Sequence, residues 1–269
     1  MSARHLVVVV LDSCRFDTFV EAKPRSLARL GEIERRWSYA SWTSPSHFNL
    51  LMGLLPHRSP KGVFESDVYR GEYRRFEERL GIEGISFPAM LPHLWLPELL
   101  QGLGYRTEAR VSLPVLNPAT PINRAFDRYE LMERHNDMAA MLPTLPAFDQ
   151  PTFLLLNVGE THYPYALPDE PENDWPRIHG LHGVLGGATS GSPAPFDPRQ
   201  LSELRARQVA AVRYLDDVID ALFARIPKPA WVVVTSDHGE LFGEDGFFGH
   251  GPIVHDKVLE VPFVEGLLA

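Results

Sequence analysis

One cysteine, Cys14, stands in a chain of 269 residues, so no disulfide can form within it and burial and polar contacts alone must hold the fold. No apolar run approaches the roughly 20 residues needed to cross a bilayer. The run near the start, within MSARHLVVVVLDSC, is too short for a secretory signal. Basic residues are in deficit, with 26 Lys and Arg against 35 Asp and Glu, a formal net charge of -9. That balance gives no general electrostatic reason to seek nucleic acid or an anionic membrane. An anionic small molecule must therefore be drawn in locally, by a metal ion or a few basic side chains. A soluble cytoplasmic protein without a membrane span is the simplest expectation.

Apolar sequence is plentiful: hydrophobic residues make up 44% of the chain, enough to bury a full core, and one α/β domain over 1–269 is the default. His5 to Leu11, HLVVVVL, is β-branched and apolar without alternation, as suits a central strand covered on both faces. It runs into Asp12-Ser13-Cys14-Arg15. Two later segments repeat the design. TFLLLNV (152–158) runs into Gly159-Glu160-Thr161-His162, and WVVV (231–234) into Thr235-Ser236-Asp237-His238-Gly239. In open α/β sheets ligands bind at the carboxyl ends of strands, which is where these polar clusters fall.

From Pro198 to Ile226, the positions of Leu201, Leu204, Val209, Val212, Leu215, Val218, Ile219 and Leu222 follow a helical period. Leu96 to Leu103, ahead of Gly104, reads as a second helix stopped by glycine. Strands alternating with helices imply a mostly parallel central sheet sandwiched by helices. Residues 163–198, rich in Pro, Gly, Asp and His, carry no sustained period and read as a loop-rich excursion over the active face.

Asp237-His238 offers an oxygen and a nitrogen ligand side by side, and Gly239 would let the backbone turn close to an ion. Alone, such a triplet is as readily a turn. Asp12 at the end of another buried strand, and His250 in Gly249-His250-Gly251, strengthen the functional reading, although Asp12 could instead cap a helix over Arg15 to Val20. In ASWTSPSH (40–47) hydroxyls enter an apolar helix, Phe48 to Leu55, with Ser44 as a cap and Pro45 in the first turn. A hydroxyl there meets free backbone N–H groups that can bind an oxyanion.

VVVLDSCRFD, WTSPSHFNLLMGLLPH and VTSDHGELFGEDGFFGHG followed by LEVPFV, in this order, resemble the sulfatase-like branch of the alkaline phosphatase superfamily. LLQGLGYRT (99–107), FDRYE (126–130) and THYPY (161–165) extend the resemblance over nearly the whole chain. It implies an alkaline phosphatase-like α/β fold. The family's Cys/Ser-x-Pro-Ser-Arg motif falls on Thr43, Ser44, Pro45, Ser46 and His47, which puts the nucleophile at Thr43. Threonine cannot become formylglycine, so the resemblance points to the superfamily's phosphoryl-transfer members and to a covalent phospho-threonine intermediate.

The resemblance implies metal binding by Asp12, Thr43, Asp237 and His238. Ser13 stands where the family usually has a second acid, so one site is favoured over two, and Mn or Zn over Ca or Mg given the imidazole. His162 and His250 match positions that bind a second metal or touch the substrate's charged oxygens; His162 is taken as catalytic and His250 as substrate-binding. His47 replaces the family arginine beside the nucleophile and is also taken as catalytic. Arg15, the nearest fixed cation, and Asn49 are candidate substrate contacts, with a surface salt bridge and a solvent-facing amide as their plain alternatives.

Set against the resemblance, the sequence is expected to lack the family's smaller C-terminal sheet. The pocket wall must then come from 163–198, from 57–95, or from a partner protein. The expected substrate is a small phosphate, phosphonate or sulfate ester. A sulfuric ester hydrolase and a non-catalytic metal-binding pathway partner are the competing readings.

Overall fold

The computed structural model describes residues 3–58, 65–85, 90, 93–178 and 196–269. It opens with β1 (His5–Leu11), two short helices α1 (Phe16–Ala22) and α2 (Arg25–Leu30), and the strand β2 (Glu34–Trp37). Helices α3 (Thr43–Leu51), α4 (Glu65–Leu80) and α5 (Leu96–Gly102) follow, then β3 (Arg106–Val111), β4 (Arg128–Leu131) and β5 (Thr152–Val158). The long helix α6 (Pro198–Phe223) leads into β6 (Ala230–Ser236) and a small hairpin of β7 (Leu241–Phe242) and β8 (Phe248–Gly249). The one-turn α7 (Asp256–Leu259) and β9 (Glu260–Leu268) complete the order.

Among the described residues one seven-stranded sheet runs β2-β9-β6-β1-β5-β3-β4. β1 lies at its centre, parallel to β5 and β6, and β9 is antiparallel to both β6 and β2. The pleat explains why HLVVVVL shows no alternation. Leu6, Val8 and Val10 pack with α3, α4 and α5 on one face, while Val7, Val9 and Leu11 pack with α1, α2 and α6 on the other. The sheet is thus sandwiched by helices, as the sequence implies. Leu11 pairs with Val158 of β5 and Ser236 of β6, so Asp12, Gly159 and Asp237 leave the sheet at one level.

Helix α6 starts where expected, with Pro198 in its first turn and the Asp197 carboxylate accepting from Arg199 N–H. Two polar residues interrupt its buried stripe, Gln208 and Asp216. Asp216 accepts from the N–H groups of Arg25, Ser26 and Leu27 at 2.7, 3.0 and 2.9 Å, capping α2 from a distant helix because Pro24 offers no side-chain cap.

Of the excursion read over 163–198, residues 179–195 lie outside the described residues. Residues 163–178 are pinned down: Asn136 donates to the carbonyls of Ala166 and Leu167, and Arg134 to that of Pro168. The segment 57–95, expected to carry substrate specificity, lies partly outside the described residues too. Its described part is chiefly α4, whose Tyr73, Phe76 and Leu80 join the core.

α4 also brings a buried charge network to the sheet. Arg79 has no solvent exposure and binds Glu265 of β9 through two nitrogens, at 2.8 and 3.2 Å, and Glu72 at 3.2 Å. Arg36 of β2 is equally buried and reaches Glu72 at 3.2 Å. Burial would weaken the Arg79 charge, but the Glu265 and Glu72 carboxylates outweigh it and hold its pKa up. Removing one partner of a buried pair strands the other. Arg79→Ala is therefore expected to lower unfolding free energy by about 3–5 kcal/mol in urea denaturation, whereas a loss under about 1 kcal/mol, the range of an exposed pair, would show that water reaches the cluster.

Candidate active site

The carboxyl ends of the three central strands converge. Asp12 follows β1 directly and is completely buried, as is His238; Asp237 is 1% exposed. Asp12 caps no helix: α1 begins at Phe16 with Arg15 at its cap position. Its Oδ1 accepts from the Ser13 hydroxyl at 3.2 Å and lies 3.5 Å from Thr43 Oγ1, while its Oδ2 accepts from Asn157 Nδ2 at 3.0 Å. Ser13, whose backbone is left-handed with φ 60°, donates its N–H to Asp237 Oδ1 at 3.1 Å. His238 N–H donates to the same oxygen at 2.9 Å.

Thr43 begins α3, one turn earlier than expected. The cap position is Trp42, which supplies no side-chain hydrogen bond, and the first helical bond runs from Ser46 N–H to Trp42 O. Ser44 is thus inside the helix. Pro45 is tolerated because its missing N–H is one of the first-turn donors that have no helical partner anyway. Thr43 Oγ1 lies 3.3 Å from His238 Nε2, and among the described residues the N–H groups of Thr43 and Ser44 have no backbone partner.

The tautomers follow from the acceptors. His238 Nδ1 sits 2.9 Å from Gly239 O and so carries the proton, leaving Nε2 as a lone pair facing Thr43. Burial first, then the neighbouring His250, drives the His238 pKa down to about 3, so the ring is neutral. Burial and the charge of Asp12 push the Asp237 carboxyl well above the usual carboxylate range. Asp12 is buried too, but the surrounding imidazoles and Asn157 outweigh that and hold it low.

Asp237 Oδ2 is buried and, among the described residues, has no hydrogen-bond partner. One ligand atom each from Asp12, Asp237 and His238 lies within 4.8 Å of the others. An orphaned buried carboxylate oxygen, a neutral imidazole lone pair and two carboxylates that repel each other fit a divalent cation. The mixed N/O donors suit Zn or Mn. Ser13 adds a hydrogen bond to this cluster where a second acid would have added charge.

His162 and His250 face the same cluster. The His250 ring centroid lies 4.3 Å from that of His238 and 5.4 Å from that of His162. His162 Nδ1 is 2.8 Å from Tyr163 O, and His250 Nδ1 is 3.2 Å from Glu240 Oε1. Among the described residues no hydrogen bond reaches Nε2 of either ring. Burial acts to lower the His250 pKa, but the hydrogen bond and charge of Glu240, with Asp12, raise it overall. Glu240 is itself buried and also accepts from the Tyr165 hydroxyl.

Three residues stand elsewhere than the sequence suggests. Arg15 takes the salt-bridge alternative: its guanidinium is 2.6 Å from both Asp17 and Glu244 and also donates to Glu240 O. Two carboxylates neutralise it, so it ties the β1 loop to the hairpin region. Asn49 spends its amide on Pro45 O, 2.9 Å away within α3, and lines a small cleft behind Asp237 with Ser38, Ser46 and Ser236. His47 lies under Thr43, with Nδ1 2.9 Å from Thr43 O and Nε2 3.3 Å from Asn157 Nδ2. Burial, only partly opposed by Asp12 and Thr43 O, lowers its pKa.

Gly239 also has a different reason to be glycine. A Cβ there would lie 2.2 Å from Lys257 O, and its N–H donates to Val258 O at 2.6 Å. The glycine lets the strand end press against the α7 segment rather than approach an ion.

Sequence reading missed Asn157, Thr161, Glu240 and His135. Asn157 bridges Asp12 and His47 and accepts from the N–H groups of Ser112 and Leu113; its signal was an amide inside an otherwise apolar strand. Thr161 Oγ1 donates to Asp12 O at 2.7 Å. His135, packed edge-on against Trp175, left no motif to find.

The sheet and its flanking helices have the alkaline phosphatase-like fold. A family model described as Sulfatase matches residues 4–264, and the chain belongs to that family. Members of the superfamily are phosphoryl or sulfuryl hydrolases or transferases. No curated protein sequence matches it significantly.

Solved structures share its fold. The C-terminal periplasmic domain of EcEptC from Escherichia coli, in complex with Zn, is 16% identical with a TM-score of 0.58, covering 99% of this chain and 73% of that one. The corresponding domain of phosphoethanolamine transferase EptC from Campylobacter jejuni is 15% identical, TM-score 0.56, covering 99% and 80%. Phosphonate monoester hydrolase of Agrobacterium radiobacter is 15% identical, TM-score 0.57, covering 97% and 68%. Among the described residues no helix is long and apolar enough to cross a membrane.

Proposed function

We propose that this chain is a metal-dependent hydrolase or transferase of small phosphate or phosphonate esters, working as one domain over 1–269 with Thr43 as its nucleophile. The observation that carries the reading is the Thr43 hydroxyl, 3.3 Å from His238 Nε2 and 3.5 Å from Asp12 Oδ1 at an uncapped helix start. A single Zn or Mn ion held by Asp12, Thr43, Asp237 and His238 would lower the pKa of that hydroxyl and neutralise phosphoryl charge. The Zn in the Escherichia coli neighbour supports this choice.

Thr43 Oγ1, its proton released to solvent, attacks phosphorus in line, forming the Oγ1–P bond as the ester P–O bond breaks. The N–H groups of Thr43 and Ser44 receive a phosphoryl oxygen. His162 and His250 flank the remaining charged oxygens, and the His250 imidazolium, which Glu240 favours, gives its Nε2 proton to the leaving oxygen. Water or an acceptor alcohol then gives its proton to the now neutral His250, attacks phosphorus, breaks the Oγ1–P bond and returns Thr43. His47 acts from behind by holding the Thr43 carbonyl. Residues 163–178 and His135 wall the leaving-group side.

The family also contains sulfatases, and a threonine sulfate ester would lose its sulfate slowly to water, which ranks sulfate esters second. Purified chain loaded with Zn or Mn should turn over an aryl phosphodiester or an aryl phosphonate ester well ahead of an aryl sulfate. Preference for the sulfate would overturn the phosphoryl assignment. No turnover of any of the three with the metal bound would favour a binding protein.

A further inference from the structure

Helix α6 carries one residue into the strand-end loops that packing alone does not explain. Gln208 lies on the buried stripe among Leu204, Val209, Val212 and Leu215 and has no solvent exposure. An amide at such a place is unfavourable unless its hydrogen-bonding capacity is met. Here it is met in full. Nε2 donates to Ser13 O at 3.0 Å and to Thr161 O at 2.9 Å, while Oε1 accepts from Thr18 Oγ1 at 2.6 Å and from Arg15 N–H at 3.4 Å. Two carbonyls on one end and two donors on the other settle which end is nitrogen.

Resting on the metal-site reading above, we infer that Gln208 is a positioning residue for the metal ligands, joining the loops after β1 and β5 through one buried amide. Each carbonyl it holds belongs to a residue that grips a ligand. Ser13 donates its N–H to Asp237 Oδ1 and its hydroxyl to Asp12 Oδ1. Thr161 donates its hydroxyl to Asp12 O. Ser13 also has positive φ, a conformation that a serine keeps only when its surroundings hold it there. Gln208 is the side chain that accepts this duty on the Ser13 carbonyl and shares it with the neighbouring loop. Partners that orient metal ligands govern affinity nearly as strongly as the ligands themselves.

The test is metal titration of the folded chain with Zn or Mn, compared across variants. Gln208→Met keeps the volume and removes both donors, and is expected to weaken metal binding by about tenfold or more. Thr18→Val removes one partner of the same amide but leaves both carbonyl contacts. It should lower the melting temperature of the metal-free protein while keeping wild-type affinity. Wild-type affinity in Gln208→Met, or an equal loss in Thr18→Val, overturns the inference and leaves Gln208 a packing residue.

Should Gln208→Met not fold, Thr161→Val cuts the chain of contacts one bond nearer Asp12. It is expected to weaken metal binding several-fold, and unchanged affinity there overturns the inference as well. A wild-type chain that takes up no metal overturns the metal-site reading, and this inference with it. A wild type that binds beside a Gln208→Met variant that binds equally overturns only the role of Gln208.

Discussion

Thr43→Ala is expected to cut turnover of an aryl phosphodiester by at least about 10³-fold, since loss of a covalent nucleophile leaves only binding and charge stabilisation to act. Metal content should stay near that of the wild type. Asp12, Asp237 and His238 keep their positions because strand ends and backbone donors hold them, not the threonine: Ser13 and His238 N–H groups fix Asp237, and Asn157 fixes Asp12. Alanine is also at home in the first turn of a helix that starts without a side-chain cap. Thr43→Ser restores the hydroxyl and should recover much of the rate. Steady-state turnover beside metal analysis checks both variants, and an alanine variant that still turns over at the wild-type rate would remove Thr43 from the chemistry.

The parts of the molecule that could be read from sequence are those in which a residue's fate depends on its near neighbours. HLVVVVL, TFLLLNV and WVVV declare themselves as buried strands because both faces need apolar side chains, and the polar residues that follow them declare the site. α6 is legible because its stripe repeats over 26 residues. Strands β2 and β4, ERRW and RYEL, are not, since they are short and charged and become strands only by pairing with β9 and β3. The start of α3 was misplaced for a local reason: Ser44 and Pro45 suit a cap and first turn, yet the helix begins at Thr43 where no cap is supplied.

The site shows the same division. Asp12, Asp237 and His238 fall together because three parallel strands end in register. For Arg15 the sequence leaves a substrate contact and a salt bridge both open, because Glu244, which pairs with it alongside Asp17, lies 229 residues away in sequence. Gln208 and Asp216 interrupt an apolar stripe, and their meaning lies in loops from the start of the chain. Asn157 likewise finds its side-chain partners far earlier in the chain, at Asp12, His47, Ser112 and Leu113, none of them on its own strand. Buried polar residues are thus visible in sequence as exceptions, but their partners become visible only in three dimensions.

Asp237→Asn follows from the same geometry and should abolish metal binding while sparing the fold. The amide oxygen can still accept from Ser13 and His238, and the amide nitrogen takes the place of an oxygen that has no partner. What disappears is one of the two carboxylate charges, and affinity should fall by more than about 100-fold, beyond the usual loss for a residue that merely orients a ligand. The pH dependence distinguishes this from general damage. In the metal-free wild type, burial and Asp12 raise the Asp237 pKa above its unfolded value, so the folded chain binds the proton more tightly than the unfolded chain. Its contribution to stability is therefore complete below the unfolded pKa and is lost as pH rises toward the raised folded value. The asparagine variant lacks this decline, and bound metal should suppress it by taking the proton's place. Metal uptake by the wild type at the lower end of that window should release a proton, read as a buffer-dependent heat in calorimetry. Undiminished affinity in the variant, or heat that does not depend on the buffer, would mean that Asp237 is not the ligand that exchanges its proton for the ion.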